Sequence, residues 1–181
     1  MILSGNKIKE ELKKGDISID PFDENMLNPN SYNYHLGDTI LEIEDEVIDP
    51  HVKCKIKEIK LTNDGYLLKP NKLYLASTKE KIGSKKYVTQ LIGRSSTGRL
   101  GLFLQVTAPL GHVGCNHCWT LELRVVMPLR VYPNMRIGQV TFWRLDGKKD
   151  LLYDKGKYNN YLIPQVSMFY EEGVKNDIIR E

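Results

Sequence analysis

Residues 92–123 read IGRSSTGRLGLFLQVTAPLGHVGCNHCWTLEL. The first part is a polar turn rich in glycine, serine and arginine, and the later parts alternate apolar and polar residues. Alternation with a period of two is typical of β-strands that bury one face. In the last strand of this stretch, Glu122 lies on the face opposite Leu121 and Leu123. The stretch therefore predicts strands joined by turns, with one carboxylate set among apolar neighbours.

The same alternation recurs on both sides of this stretch. Turn signals such as Asn63-Asp64-Gly65 and Pro133-Asn134 separate the strand-like segments. Short strands with frequent turns predict an all-β sandwich or barrel. The strand-like segments are KCKIKEIKLT, KLYLASTKE, KYVTQLIG, GLFLQVTA, WTLELRVV and IGQVTFWRL.

One short helix is predicted near the N-terminus. Ser4 has the side chain of a helix N-cap, and Gly15 is suited to end the helix. Glu10 and Lys14 have the four-residue spacing of an ion pair on one helix face.

Length and composition set the class of protein. The 181 residues, 41% of them hydrophobic, fit one domain over 1–181 with a packed core. The net charge of +3 is too small to indicate a nucleic-acid partner, and no apolar run has the roughly 20 residues of a membrane helix. The first residues turn charged within seven positions, which is unlike a signal peptide, and three cysteines favour reduced thiols in the cytoplasm.

The residues alone leave two interpretations open for the turn at 93–99 and two for Glu122. The turn at 93–99 has flexible glycines, hydroxyl groups and two arginines, and this combination could bind a polyphosphate. The same residues are equally typical of an ordinary polar hairpin turn. Glu122 is either a surface residue paired with Arg124 or a proton shuttle on a partly enclosed face.

Several ordered motifs together resemble the dCTP deaminase family of the trimeric dUTPase-like superfamily. The opening MILSGNKIKEELKKGDISIDPFD, the segment PNSYNYHLGD, the segment GRSSTGRLGL and the segment YPNMRIGQVTF are each similar to motifs of that family. The spacing from VTA to TLEL also matches the family's spacing to its catalytic glutamate. The resemblance runs nearly end to end.

The resemblance implies a distorted β-barrel or jelly-roll-like dUTPase-type fold, mainly β, with a short N-terminal helix and assembly as a homotrimer with shared active sites. It implies hydrolysis of the cyclic amidine C–N bond of dCTP, giving dUTP and ammonia. It implies Mg²⁺ bound through substrate phosphates, no zinc and no metal held by the protein itself.

The resemblance also assigns the catalytic residues. Glu122 is expected to be the general base and acid. Ser95 and the carbonyl group of Ala108 are expected to position the water molecule. Arg99 is expected to stabilise charge as the tetrahedral intermediate forms.

Substrate contacts follow from the same resemblance. Arg94, Ser95 and Ser96 are expected to bind phosphates, and Thr120 and Leu121 to read the base through backbone groups. Residues 148–181 are expected to form a C-terminal tail that closes over the nucleotide as a lid. In that tail, Tyr153 and Lys157 match the family's tyrosine and lysine.

This chain departs from the family pattern at His112, Asn33 and Tyr161. His112 stands where an aspartate is expected to contact the deoxyribose and, in dUTPases, to orient water for phosphate cleavage. Asn33 replaces an aspartate with an expected structural role. Tyr161 lies where a lid glutamine is common, and Gln165 is four residues further on.

These departures leave two further functions open. His112 argues against a dUTP diphosphatase, or a bifunctional deaminase and diphosphatase giving dUMP, so dUTP is the expected product. A non-catalytic nucleotide-binding regulator on the same scaffold is the other alternative. The true substrate is dCTP, dCMP or a modified cytosine nucleotide.

The run from His112 to Cys118 holds two histidines and a Cys-x-x-Cys pair. Structural zinc sites normally use two separated pairs of ligands, whereas this run is crowded. We therefore expect a turn in which Cys115 and Cys118 pack as small apolar side chains.

Overall fold

The structure, a computed structural model, describes residues 1–104, 108–147, 151–153, 156–159 and 161–172. It is mainly β, as the sequence predicts. The elements in chain order are α1 (Gly5–Lys13), β1 (Ile17–Asp20), a 3₁₀ turn (Glu24–Met26), β2 (Tyr32–Ile43), β3 (Ile56–Lys60), β4 (Tyr66–Leu68), β5 (Tyr74–Ser84), β6 (Tyr87–Gly93), α2 (Ser95–Gly98), β7 (Leu102–Phe103), β8 (Leu110–Gly111), β9 (Asn116–Val125), β10 (Leu129–Val131) and β11 (Arg136–Arg144).

Most strands belong to one antiparallel sheet. Its order is β7-β9-β5-β2-β11-β6-β8, with β1 added beside β5 and β3 beside β2. Strands β4 and β10 form a separate pair. The order places β9, which carries Glu122, directly beside β5.

Strand β2 is the central strand that the period-two analysis missed. Tyr32, Tyr34, Leu36 and Ile40 on this strand are fully buried, and residues on both of its faces are covered. A strand buried on both faces loses the strict alternation of apolar and polar residues that identifies a half-exposed strand.

Asn33 on β2 has a structural role, as its place in the sequence suggests. Its side-chain amide donates to the carbonyl oxygen of Met26 and to Oδ1 of Asn28, each at 3.3 Å. The residue is 6% exposed. These bonds hold the 3₁₀ turn against the sheet.

Helix α1 begins and ends as predicted, but its ion pairs differ. The Ser4 hydroxyl accepts a hydrogen bond from the Lys7 amide at 3.3 Å, and Gly15 adopts φ +74° just beyond the helix. The expected pair of Glu10 with Lys14 is wrong, because Lys14 binds Glu11 at 2.8 Å instead. Glu11 faces the sheet and draws the lysine toward it.

A second, smaller apolar cluster lies beside the main core. Leu41 and Ile43 of β2, Leu75 of β5 and Val166 of the C-terminal tail form it, with Cys54 and Leu73 packed at its edge. This cluster borders the cavity described below. No helix in the described ranges is long and apolar enough to cross a membrane.

Candidate active site

Glu122 lies half-buried in the wall of a cavity of about 520 Å³. Strand pairing sets Glu122 opposite Leu75 of β5. Directly opposed residues on antiparallel strands project to the same face of the sheet, so the carboxylate lies beside an apolar wall. Such a setting suits a carboxylate that transfers protons out of bulk water.

Five of the residues expected at the site line this one cavity: Ala108, His112, Thr120, Glu122 and Tyr153. They come from the loop before β8, the turn before β9, β9 itself and the tail. Leu121 also lies at this point of β9, but its side chain is fully buried in the core on the other face. Only backbone groups of Leu121 therefore remain for a ligand, as the expected base contact requires.

The C-terminal tail lies across the cavity. The Gln165 amide donates to Oγ1 of Thr120 at 3.1 Å, and the Cys118 amide donates to the carbonyl oxygen of Tyr161 at 3.0 Å. The Tyr153 amide donates to the carbonyl oxygen of Val113 at 2.8 Å. These bonds place the described parts of the tail at the cavity. Of the expected lid, 148–181, residues 148–150, 154–155, 160 and 173–181 lie outside the described residues.

His112 is exposed at this cavity, in a tight turn. Its carbonyl oxygen accepts hydrogen bonds from the amide, at 3.3 Å, and the thiol of Cys115. Its ring packs against the ring of Tyr153, with centroids 5.3 Å apart and planes tilted by 40°. Gly114 has φ +102°, and a Cβ there would lie 2.8 Å from the Tyr153 nitrogen, so only glycine allows this approach.

The arginine–serine turn is a single helical turn, α2, and not the hairpin turn that was one interpretation of its residues. Thr97 closes it by accepting the Arg94 amide at 3.2 Å, and the Arg94 guanidinium donates to the carbonyl oxygen of Arg136 at 3.1 Å. Ser95, Ser96 and Arg99 are exposed. None of the arginine and serine side chains of this turn lines the cavity that holds Glu122.

Lys157 also lies outside the cavity lining. Its ammonium group is 3.5 Å from a carboxylate oxygen of Glu172 and 3.8 Å from one of Glu171, and it donates to the carbonyl oxygen of Met168. In this conformation the lysine therefore holds parts of the tail together.

The cysteines and histidines near β9 are packed. Burial raises the pKa of the Cys115 thiol to about 11, and burial also lowers the pKa of His117, whose ring stacks 4.5 Å from that of Trp119. Across the described ranges, no group of three or more His, Cys, Asp or Glu side chains is arranged to hold a metal ion. A magnesium ion carried by phosphates needs no such group, so Mg²⁺ and the absence of zinc stay predictions.

Sequence reasoning missed the apolar wall of the cavity. Leu75 faces Glu122, and Ile48 and Cys54 reach the cavity from the loop between β2 and β3. The alternation in KLYLASTKE was a usable signal for Leu75. Nothing local marks Ile48 or Cys54, because their position depends on how the loop folds back.

Known proteins resemble this chain over nearly its whole length. A family model described as dCTP deaminase-like matches residues 2–145. The "dCTP deaminase, dUMP-forming" of Clostridium beijerinckii is 46% identical over 172 residues, covering 95% of this chain and 98% of that protein. The protein of the same name from Hathewaya histolytica is 45% identical, covering 95% and 99%.

A solved structure shares the fold. The crystal structure of 2'-deoxycytidine 5'-triphosphate deaminase from Agrobacterium tumefaciens superimposes with a TM-score of 0.63 at 19% sequence identity. The match covers 78% of this chain and 47% of that one, so this chain spans about half the length of that protein.

The names of the relatives overturn one expectation. They describe dUMP-forming enzymes, so dUTP as the final product is wrong for this chain, and the alternative that ends in dUMP fits. The expectation of dUTP rested on the residue type at position 112 alone, and replacement of an aspartate by histidine keeps a side chain that can accept a proton.

Sequence motifs, fold and relatives agree on an enzyme of one family. All but Met1 of the motifs quoted from the sequence fall within the matched residues 2–145, and the solved deaminase has the same architecture. The chain belongs to the dCTP deaminase-like family.

Proposed function

We propose that this protein hydrolyses dCTP to dUMP, ammonia and pyrophosphate. The observation that carries the proposal is the half-buried carboxylate of Glu122, set in a nucleotide-sized cavity between Leu75 and the tail. The names of relatives with 44% to 46% identity support the product. The reaction consumes two water molecules, one at the cytosine ring and one at a phosphate.

Glu122 performs the deamination in this proposal. It takes a proton from water, which then attacks the ring carbon that bears the amine, and it delivers protons to the ring nitrogen and to the departing ammonia. The carbonyl oxygen of Ala108 and Ser95 hold the water. Thr120 and Leu121 present backbone groups to the edge of the base.

The phosphates bind to Arg94, Ser95 and Ser96, and Mg²⁺ is bound to the phosphate oxygens of the substrate. Arg99 stabilises the charge that develops as the tetrahedral intermediate forms. Since these side chains do not line the cavity of their own chain, we propose that a neighbouring protomer of a homotrimer supplies them. Exposed apolar residues beside α2 support an assembly surface: Leu100, Phe103, Val126 and Met127.

The remaining finer expectations form part of the same proposal. Tyr153 and Lys157 belong to a tail that closes on bound nucleotide. We place the enzyme in the cytoplasm, supported by three cysteines that the structure leaves as free thiols.

The test uses purified protein, dCTP and Mg²⁺, with ammonia, pyrophosphate and nucleotide products measured together. We expect one dUMP and one pyrophosphate for each ammonia released. Glu122→Gln should lower ammonia release by at least about a hundredfold, because removal of a general base and acid costs that much.

Glu58→Gln is the matched control, since Glu58 lies on β3, is exposed and is outside the cavity lining. Its rates should equal those of the unaltered protein. Tight binding of dCTP without any ammonia release over hours would contradict the proposal and favour a nucleotide-binding regulator.

A further inference from the structure

The formation of dUMP from dCTP needs a second base. Deamination and phosphate cleavage each require a water molecule to lose a proton at a different atom of the substrate. Glu122 serves the ring carbon, which lies several bonds away from the α-phosphate. The inference below rests on the proposed function and concerns the group that serves the phosphate.

The described lining of the cavity offers few candidates besides Glu122. The pKa of Cys115 is raised to about 11 by burial, and burial raises the pKa of Cys118 as well, so both thiols stay protonated at neutral pH. His117 is 7% exposed, stacks on Trp119 and uses Nδ1 to contact Oδ1 of Asn159 at 3.3 Å. These three side chains are buried, so they are poor candidates for a base that activates water.

His112 differs from them in position. It lines the same cavity but is exposed, whereas Glu122 is half-buried. A nucleotide with its amine at Glu122 must keep its triphosphate toward solvent, because burial of several charges without partners is costly. The phosphates therefore leave the cavity toward its exposed part, where water or the proposed arginine–serine turn of a neighbouring protomer can meet their charge. Among the His, Cys and Glu side chains of the described lining, His112 is the exposed one.

The surroundings hold the imidazole in place and leave its nitrogens available. Two hydrogen bonds from Cys115 fix the backbone at the His112 carbonyl, and the ring of Tyr153 packs against the imidazole. Within the described residues, no hydrogen bond engages the His112 ring nitrogens. A base that is positioned by packing, with a free nitrogen, needs little reorganisation before it accepts a proton.

We propose that His112 is the general base for phosphate cleavage. A ring nitrogen of His112 takes a proton from water while the water oxygen bonds to the α-phosphorus of the deaminated nucleotide. The bond from the α-phosphorus to the oxygen that bridges the α- and β-phosphates breaks, and pyrophosphate departs with that electron pair. The proton on His112 then returns to solvent, so one water is consumed and dUMP remains.

The experiment measures pyrophosphate and ammonia from dCTP in the same reaction, for the unaltered protein and for His112→Gln. The unaltered protein should give a pyrophosphate to ammonia ratio near one. In His112→Gln we expect the ratio to fall at least about a hundredfold, with dUTP accumulating. His51→Gln, at an exposed histidine outside the cavity lining, should keep the ratio near one.

Two further measurements separate a base from a merely structural residue. Added imidazole should restore pyrophosphate release from dUTP in His112→Ala. His112→Asp should retain cleavage, with the rising limb of its pH profile moved to lower pH because a carboxylic acid is a stronger acid than an imidazolium.

The outcomes are distinguishable. If the unaltered protein forms no dUMP from dCTP, the proposed function fails. If it forms dUMP and His112→Gln keeps a ratio near one, the function stands and the role of His112 is overturned. If His112→Gln loses ammonia release as well, the imidazole experiment decides, because absence of rescue overturns the role and rescue supports it.

Discussion

Two glutamates show how the same side chain takes different roles. Glu122 opposes Leu75 and lines a cavity. Glu11 on α1 is 1% exposed, and its carboxylate forms ion pairs and a hydrogen bond with four side chains. Those partners are Lys7 at 3.1 Å, Lys14 at 2.8 Å, Lys86 at 3.1 Å and the Tyr87 hydroxyl at 2.8 Å.

Glu11 should contribute stability that depends on pH. The hydrogen bond from Lys14, with those from Tyr87, Lys86 and Lys7, outweighs burial and holds the pKa of Glu11 well below its usual range. Glu11→Gln should therefore lower the free energy of unfolding by about 2 kcal/mol at pH 7. The contribution is complete above the pKa of an unfolded glutamate, so the difference should shrink as the pH falls below about 4.

Urea unfolding at fixed protein concentration measures this difference. Glu10→Gln is the matched control, because Glu10 is exposed and binds Lys7 alone, so its loss should cost much less than the loss of Glu11. Equal costs for the two variants, or a difference that stays constant down to pH 2, would show that Glu11 is not the anchor of α1.

At the scale of elements, the tail and β9 define the cavity together. Asn159 joins them: its Oδ1 accepts from the Asn116 amide at 3.3 Å, and its Nδ2 donates to the Tyr153 carbonyl oxygen at 3.1 Å. The tail residues that follow reach Thr120 and the apolar cluster around Leu75. The proposed lid is therefore attached to β9, the strand that carries the proposed catalytic carboxylate.

Asn159→Leu should loosen this attachment. We expect hydrogen exchange in residues 151–172 to accelerate about tenfold, since the side-chain hydrogen bonds of Asn159 to Asn116, His117 and Tyr153 are lost. The KM for dCTP should rise by a similar factor. Exchange in β2 and β5 should not change.

Asn6→Leu, at an exposed position of α1, provides the control for this variant. An unchanged exchange rate in the tail of Asn159→Leu would mean that other contacts hold it, and acceleration across the whole sheet would indicate global destabilisation instead.

At the scale of the whole molecule, the proposed site is divided. Glu122 lines the cavity, whereas Arg99 of the exposed turn α2 is not among its lining residues. Exposed Leu100 and Val126 flank that turn, where Gly101 accepts the Val126 amide at 3.0 Å. In the proposed homotrimer, α2 of one copy would meet the cavity of the next and so complete the site.

Mixing two inactive variants tests this arrangement. Glu122→Gln and Arg99→Ala should each release almost no ammonia alone. When they are unfolded and refolded together in equal amounts, about a quarter of the sites receive both intact side chains, so about a quarter of the activity should return. Light scattering should give a particle of three 20.9 kDa chains.

Each variant refolded by itself is the control for that mixture. No recovery in a mixture that forms trimers would place Glu122 and Arg99 in the same chain. A particle of one chain at assay concentration, with full activity, would contradict the assembly altogether.

The sequence by itself determined the strands with one exposed face, the N-cap at Ser4, and Glu122 as the candidate carboxylate, because period-two patterns and capping depend on neighbours along the chain. The tertiary structure alone decided that β2 is a central strand, that Lys14 pairs with Glu11, and that Leu75 faces Glu122. Each of these depends on which surfaces meet across the sheet, and strand pairing brings together residues that no local pattern connects. For His112, the residue type alone predicted loss of the diphosphatase activity. Its exposed position in the cavity lining, packed against Tyr153, is the basis for the proposal that it acts as a base.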